Sequence, residues 1–312
     1  MPDKWQLGTV AGVAVDRRDH IWIIQRAGSL TDDEKAASFN PPCTACCVPA
    51  PSVVEFDADG SVLRSWGLPG AGCDFPKREH GIYVDPQDNV WIAGNHEQDH
   101  QVRKFTADGK FLLQIGKAGR TGGSNHTQLL GKPAHMELDA TTNEQFVADG
   151  YGNRRVIVFD ATTGAYKRHW GAYGNTPDDA KTIYNPAAAP SQQFGSPVHC
   201  VQLANDGLVY VCDRENNRIQ VFQKSGQFVR EFFFAKDTLL IGAVWDMVLS
   251  TDPKQTYMHA ADRANNQVRV LQRDSGAELS SFGSNGHMAT RVRHQTAISR
   301  HFRQPTPTKS MT

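Results

Sequence analysis

Three of the twelve histidines in this 312-residue chain, His80, His199 and His294, open short alternating runs that read alike. Neutral imidazole is a common ligand for divalent ions. Three imidazoles converging on one point, with a fourth position left open, are the ligand set of a catalytic zinc. The same rings could instead hydrogen-bond water or neighbouring carbonyl oxygens without any metal. The six cysteines are the other obvious chemistry. Cys43, Cys46, Cys47 and Cys73 crowd into one early stretch, while Cys200 and Cys212 flank a turn around Asp206. A C-x-x-C pair is half of a zinc knuckle with only Cys73 left to complete it, so PPCTACC is expected to hold reduced loop thiols or a local disulfide. Cys200 and Cys212 are expected as cross-strand neighbours and buried thiols.

Whether the histidines meet depends on the elements that carry them, and those elements repeat. One phrase returns along the chain: an alternating strand, a polar turn, a second strand ending in small or acidic residues, a third strand, and a fourth ending in Trp or Phe and Gly. The first-strand copies are AGVAVD at residues 11–16, HGIYVD at 80–85, AHMELD at 134–139, HCVQLA at 199–204, WDMVLS at 245–250 and HQTAIS at 294–299. Their starts lie 46 to 69 residues apart, within or somewhat above the length of a four-stranded propeller blade. DADG, TADG and KSG supply hairpin turns with residues that tolerate positive φ. The expected fold is therefore all-β, a six-bladed β-propeller occupying residues 1–312 as a single domain. A sandwich is the weaker alternative, and the lack of a long helical pattern argues against βαβ units.

The last blade is short of material. Only 18 residues follow His294, and RHFRQPTPTKSMT contains two prolines and little alternation, so the sixth blade is expected to be incomplete. KWQLG, residues 4–8, has the fourth-strand pattern and is expected to complete that blade and close the ring. First strands line the channel of a propeller, and Ala11, His80, Ala134, His199, Trp245 and His294 share one register of them. The histidines thus fall on alternate blades and point three imidazoles at the axis. His135 lies one residue past the register, on the opposite strand face, where packing is expected.

Charge excludes several functions. The 33 Lys+Arg balance the 33 Asp+Glu, leaving no electrostatic footprint for nucleic acid or an anionic membrane. No apolar run approaches the ~20 residues of a membrane helix, and Met1 opens no basic-then-apolar leader. The sequence as it stands reads as a cytoplasmic monomer.

VAGVAVDRRDHIWIIQR, HGIYVDPQDNVWI, VADGYGNRRVIVFD and VCDRENNRIQVFQ resemble successive blades of the NHL-repeat propellers, and within them the peptidyl-α-hydroxyglycine α-amidating lyases. The resemblance runs from residue 2 to about residue 283. It implies cleavage of an N–C(OH)–COO⁻ carbinolamide to an amide and glyoxylate at a channel zinc held by three histidines, with a tyrosine and two arginines. Carried onto this sequence, the metal ligands are His80, His199 and His294, the tyrosine is Tyr151, and the arginines are Arg214 and Arg26. The resemblance also implies a structural calcium, although the family's aspartate after the third histidine, which helps hold it, is Gln295 here. The family's disulfides also lack counterparts, since Gly152 follows Tyr151 and Tyr210 and Val221 stand at the other paired positions.

The residues themselves suit this chemistry. A metal and two guanidinium groups would favour the phenolate of Tyr151 and make it a base. Arg214 and Arg26 can clamp a carboxylate bidentately. Against this, Arg214 could serve only as a blade-edge salt bridge, since Arg263 holds the comparable place in DRANNQ. Arg218, Arg155 and Asn217 are expected to bond between blades. Two other functions are compatible with the repeat: a non-catalytic propeller that captures a protein or peptide, and a propeller hydrolase such as a lactonase, for which calcium and channel carboxylates would be expected. The substrate implied is a peptide or small molecule carrying a carboxylate.

Overall fold

A computed structural model describes residue 2, residues 4–67 and residues 75–283. Five four-stranded sheets fill these residues, one for each of the first five repeats, and each runs in sequence order from an inner to an outer strand. Their inner strands are Thr9–Val15, Glu79–Val84, His135–Asp139, Val198–Leu203 and Asp246–Leu249. Each inner strand neighbours the next in turn. The fold is thus an all-β propeller with five blades among the described residues, where six were expected. The sixth copy, residues 294–299, lies outside them.

The hydrophobic core sits between blades. One buried cluster joins Trp22, Ile24 and Val53 of blade 1 to Ile82, Val84 and Ile92 of blade 2. Another joins Tyr210, Cys212 and Ile219 of blade 4 to Met247, Met258 and Leu271 of blade 5. Fully burying one such aliphatic side chain stabilises by roughly 1.5–3 kcal/mol, so each blade depends on its neighbour. The expected turn glycines Gly60, Gly109 and Gly226 take positive φ.

Two polar devices recur. At the end of the inner strand, Asp16 accepts the backbone N–H of Arg18 and of His20 and the indole N–H of Trp22. Asp85 does the same for Gln87, Asn89 and Trp91. At the second hairpin, a D-x-x-N pattern, lengthened to D-x-x-x-N in blade 3, closes on an arginine of the third strand. Asp149 binds Asn153 and Arg155, Asp213 binds Asn216 and Arg218, and Asp262 binds Asn265 and Arg269. These clamps satisfy buried charges that would otherwise be costly.

Among the described residues the N-terminal strand joins none of the five blades, and the sixth blade it was expected to complete lies outside them. Trp5–Gln6 pairs in parallel with Val48–Pro49. The insertion after Arg26 folds through two short 3₁₀ turns, Ala27–Ser29 and Asp33–Ser38. It returns so that the Val48 and Ala50 amides reach Lys4 and Gln6 carbonyls. A two-residue strand takes the edge this insertion brings to it.

The cysteines also differ from expectation in part. Cys200 and Cys212 face each other across the first two strands of blade 4, as expected, but are joined as a disulfide rather than held as thiols. Both are buried, and at 4.8 Å their Cα separation lies within bonding range. Cys46 and Cys47 form a local disulfide and Cys43 is free and exposed. Cys73 lies outside the described residues. No helix among the described residues is long and apolar enough to cross a membrane.

Candidate active site

His80 and His199 come together. Their rings lie 5.0 Å apart, both side chains are buried, and both Nε2 atoms address one phenol. Tyr151 Oη is 2.9 Å from His80 Nε2 and 3.0 Å from His199 Nε2. The opposite nitrogen of His80, Nδ1, is 2.9 Å from the carbonyl oxygen of Ala134, the register residue of the next blade. His199 likewise has a backbone hydrogen bond with Trp245, the register residue of its own next blade. A carbonyl can only accept, so Nδ1 of His80 carries the proton and its Nε2 presents a lone pair. Burial pushes the His80 imidazole down to about 3 and His199 well below its usual range, so both rings are neutral near pH 7.

This arrangement tests whether a metal fits. With both Nδ1 atoms engaged by carbonyls, two Nε2 lone pairs converge where one phenol has a single proton to give. The surplus acceptor is what a divalent cation would satisfy, and carbonyls on the far nitrogens are the usual supports of metal-binding histidines. The residues present therefore fit a divalent ion. The third expected ligand, His294, and Gln295 lie outside the described residues.

Tyr151 owes its position to the Asp149 clamp. It sits in the hairpin between Asp149 and Asn153, and its amide reaches the Lys132 carbonyl. Gly150 beside it passes so close to blade 4 that an added Cβ would lie 2.0 Å from the Val198 carbonyl oxygen. Glycine is thus required to bring the phenol beside His199.

Arg214 follows Asp213 in the equivalent hairpin of blade 4. Its guanidinium is buried and lies 5.8 Å from the Tyr151 ring centroid and 4.4 Å from that of Trp245. Its Nε has no hydrogen-bond partner among the described residues. The salt bridge considered for it is not formed among those residues. Arg26, ending the second strand of blade 1, donates from Nε to the Glu79 carbonyl at 2.7 Å and interacts electrostatically with Tyr151. Burial pushes both guanidiniums down from their ordinary value, as it does for cations without a close anion. His80, His199, Tyr151, Arg214 and Arg26 thus belong to one neighbourhood.

The residues expected to be structural behave as such. His135 Nδ1 lies 3.0 Å from the Val201 carbonyl oxygen of the next blade. Arg155 donates to the Ser124, His126 and Leu129 carbonyls, Arg218 to Tyr173 and Gln193, and Asn217 to the Thr238 carbonyl. Trp245 was singled out only as a register residue; its ring, 5.5 Å from that of His199, forms a wall of the site.

A second cluster has ligand-like spacing. Donor atoms of Asp16, His20 and Glu55 lie within 4.8 Å of one another. They are already bonded internally: His20 Nδ1 is 2.8 Å from Glu55, and Arg18 and Arg64 ion-pair with the two carboxylates. The same place in blade 2 holds Asp85, Asn89 and Lys104, with Lys104 supplying the positive charge. The cluster is the blade-1 version of a repeated turn support.

Comparison with known proteins agrees with this architecture. Residues 198–222 match the NHL repeat family. The chain is 27% identical over 242 residues to peptidyl-glycine alpha-amidating monooxygenase B of Xenopus laevis, covering 72% of this chain and 24% of that protein. It is 30% identical over 231 residues to peptidyl-alpha-hydroxyglycine alpha-amidating lyase 1 of Drosophila melanogaster, covering 70% of this chain and 38% of the relative. The chain thus spans about a quarter of the first of these relatives. Among solved structures, virginiamycin B lyase from Staphylococcus aureus superposes with a TM-score of 0.53 at 15% identity, over 89% of this chain and 71% of that one. At that identity the likeness speaks for the propeller fold alone. With its repeat and these relatives, the chain is an NHL-repeat protein of amidating-lyase-like sequence.

Proposed function

We propose that this protein is a metal-dependent lyase that opens a carboxylate-bearing carbinolamide, giving an amide and glyoxylate. The observation that carries this reading is the meeting of His80 Nε2, His199 Nε2 and Tyr151 Oη within 3.0 Å contacts, beside a buried guanidinium with an unpartnered Nε. Neutral, backbone-anchored imidazoles suit metal ligation, and among the described residues no group but the single Tyr151 phenol faces the two lone pairs.

His80 and His199 would hold the ion, with His294 as the third ligand. When bound, zinc or a similar divalent ion supplies Lewis-acid stabilisation of negative charge on oxygen. The protein's own groups do the rest. Arg214 and Arg26 hold the substrate carboxylate and orient the carbinol carbon. Tyr151, as the phenolate that the two guanidiniums and a bound ion would favour, accepts the proton of the carbinol hydroxyl. The oxygen electron pair then forms the C=O of glyoxylate, the C–N bond breaks, and the nitrogen takes a proton to become the amide. The wall formed by Trp245 keeps one side of the site apolar.

The test uses purified protein and N-benzoyl-α-hydroxyglycine, with glyoxylate release and metal content measured together. Wild type should release glyoxylate and hold about one equivalent of divalent metal per chain. His80→Ala and His199→Ala should each lose both. Activity without stoichiometric metal, persisting with both histidines replaced, would sink the reading.

A further inference from the structure

Most arginines of the blade framework are neutralised: Arg155, Arg168, Arg218, Arg269 and Arg273 each ion-pair with a carboxylate. Arg26, Arg78, Arg214 and Arg263 do not, and none has a carboxylate within ion-pair distance among the described residues. These four are also neighbours in pairs. Arg78 bears electrostatically on Arg26, and Arg263 on Arg214. Arg26 and Arg214 both bear electrostatically on Tyr151 and His80, so each pair has one member at the site and one beyond it.

Two of them suffice for one carboxylate. Arg263 is the informative extra. It follows Asp262 in D-R-A-N-N as Arg214 follows Asp213 in D-R-E-N-N, and the Asp262–Asn265–Arg269 clamp fixes its hairpin. Its guanidinium carbon lies 4.5 Å from the centroid of Trp245, the ring that Arg214 approaches at 4.4 Å. That ring is pinned, since its indole N–H donates to the Gly242 carbonyl at 3.0 Å and its backbone N–H to the Ala261 carbonyl at 2.9 Å. A fixed indole thus holds two guanidiniums by its π face. Like charges so placed repel, and an anion reaching both relieves the repulsion. Arg214 is buried and Arg263 exposed, so the inner cation suits the reacting end of a ligand and the outer one its far end.

We infer that Arg263 and Trp245 form a second anion subsite beside the Arg26–Arg214 clamp, so that the preferred substrate is a dianion with a second carboxylate on its acyl side. The assignment of the two ends rests on the lyase reading; the presence of the outer subsite does not. Arg263 is a specificity-determining residue here and touches no reacting atom.

N-succinyl-α-hydroxyglycine and N-butanoyl-α-hydroxyglycine have acyl chains of equal length and differ by the terminal carboxylate. Wild type should favour the succinyl compound by about fivefold in kcat/KM, the worth of one largely exposed charge contact. Arg263→Gln should erase that preference and leave the butanoyl compound unchanged. Calorimetric titration with N-succinylglycine and N-butanoylglycine, which cannot be cleaved, should show the same ratio in Kd and the same loss. A wild-type ratio within about twofold in both assays, or an equal fall on both compounds in the variant, overturns the subsite. Turnover without any ratio leaves the lyase and removes the subsite. A binding ratio without turnover leaves the subsite and removes the lyase. If neither glycine derivative binds, both readings fall.

Discussion

Blades 4 and 5 carry nearly the same hairpin, D-R-E-N-N and D-R-A-N-N, and use it differently. In each, the aspartate binds the asparagine and an arginine of the third strand. In blade 4 both ionic side chains are fully buried, and Arg218 also reaches Tyr173, Gln193 and Glu231. In blade 5 Arg269 retains 14% exposure. The residue after the aspartate follows suit, buried as Arg214 and exposed as Arg263. The inner strands diverge as well, with His199 facing the phenol in blade 4 and Trp245 walling it in blade 5. The clamp is thus a constant of the scaffold, and the residue it presents takes its role from depth.

The sharpest way to break this comparison is to remove the aspartates. Each arginine keeps a second carboxylate, Glu231 for Arg218 and Glu278 for Arg269, but only Arg269 reaches water, so Asp213→Ala should cost about 3–5 kcal/mol in denaturant unfolding and Asp262→Ala about 1–2 kcal/mol. Equal losses would show that depth does not separate the two hairpins. The next contrast is functional. Arg214→Ala should lower kcat/KM for glyoxylate release by about a hundredfold, because its hydrogen bonds to a carboxylate form in a site shielded from water. A fall no larger than that of Arg263→Gln on the succinyl compound would place both arginines on an equal footing.

The strands of both blades were legible because alternation, turn glycines and the D-x-x-N phrase each mark a local requirement. Val198–Leu203 and Asp246–Leu249 lie within a residue of where the repeat puts them. The common register of His80 and His199 followed from the same period, since strand geometry carries a position from blade to blade. The partner of Trp5–Gln6 did not, because it depends on how a long insertion returns, which no local pattern encodes. Trp245 was visible as a register residue, but its contacts with two arginines arise from hairpins of different blades. Cys200 and Cys212 were legible as neighbours; their oxidation is a matter of redox state, not of pattern.

That disulfide offers a third contrast, because blade 5 has Asp246 and Ala261 at the corresponding cross-strand pair. It links residues separated by 12 in sequence, and closing so short a loop in the unfolded chain stabilises by about 2–3 kcal/mol. Cys200→Ala with Cys212→Ala should lose roughly that amount in denaturant unfolding, and a reductant should destabilise wild type but not the double variant. Mass measurement after alkylation checks the premise: with Cys46–Cys47 and Cys200–Cys212 bonded, at most two of the six cysteines should react before reduction, and four reactive thiols would mean that one of these bonds is absent.

The smallest expected difference is a pH slope. His199 is buried with a pKa driven far below its unfolded value of 6.5, chiefly by loss of water and then by His80 and Arg214. A group with a depressed folded pKa binds fewer protons in the native state, so stability is whole above pH 6.5 and declines as pH falls below it. The limiting slope is about 1.4 kcal/mol per pH unit for one such group. His199→Gln cannot titrate, so on metal-free protein its denaturation midpoint should fall less steeply than that of wild type between pH 6.5 and the onset of acid unfolding. Trp245→Phe in blade 5 alters the same wall without removing a titrating group, and should keep the wild-type slope. If His199→Gln and Trp245→Phe flatten the slope equally, the acid sensitivity arises from packing at the wall rather than from the imidazole that blade 4 places there.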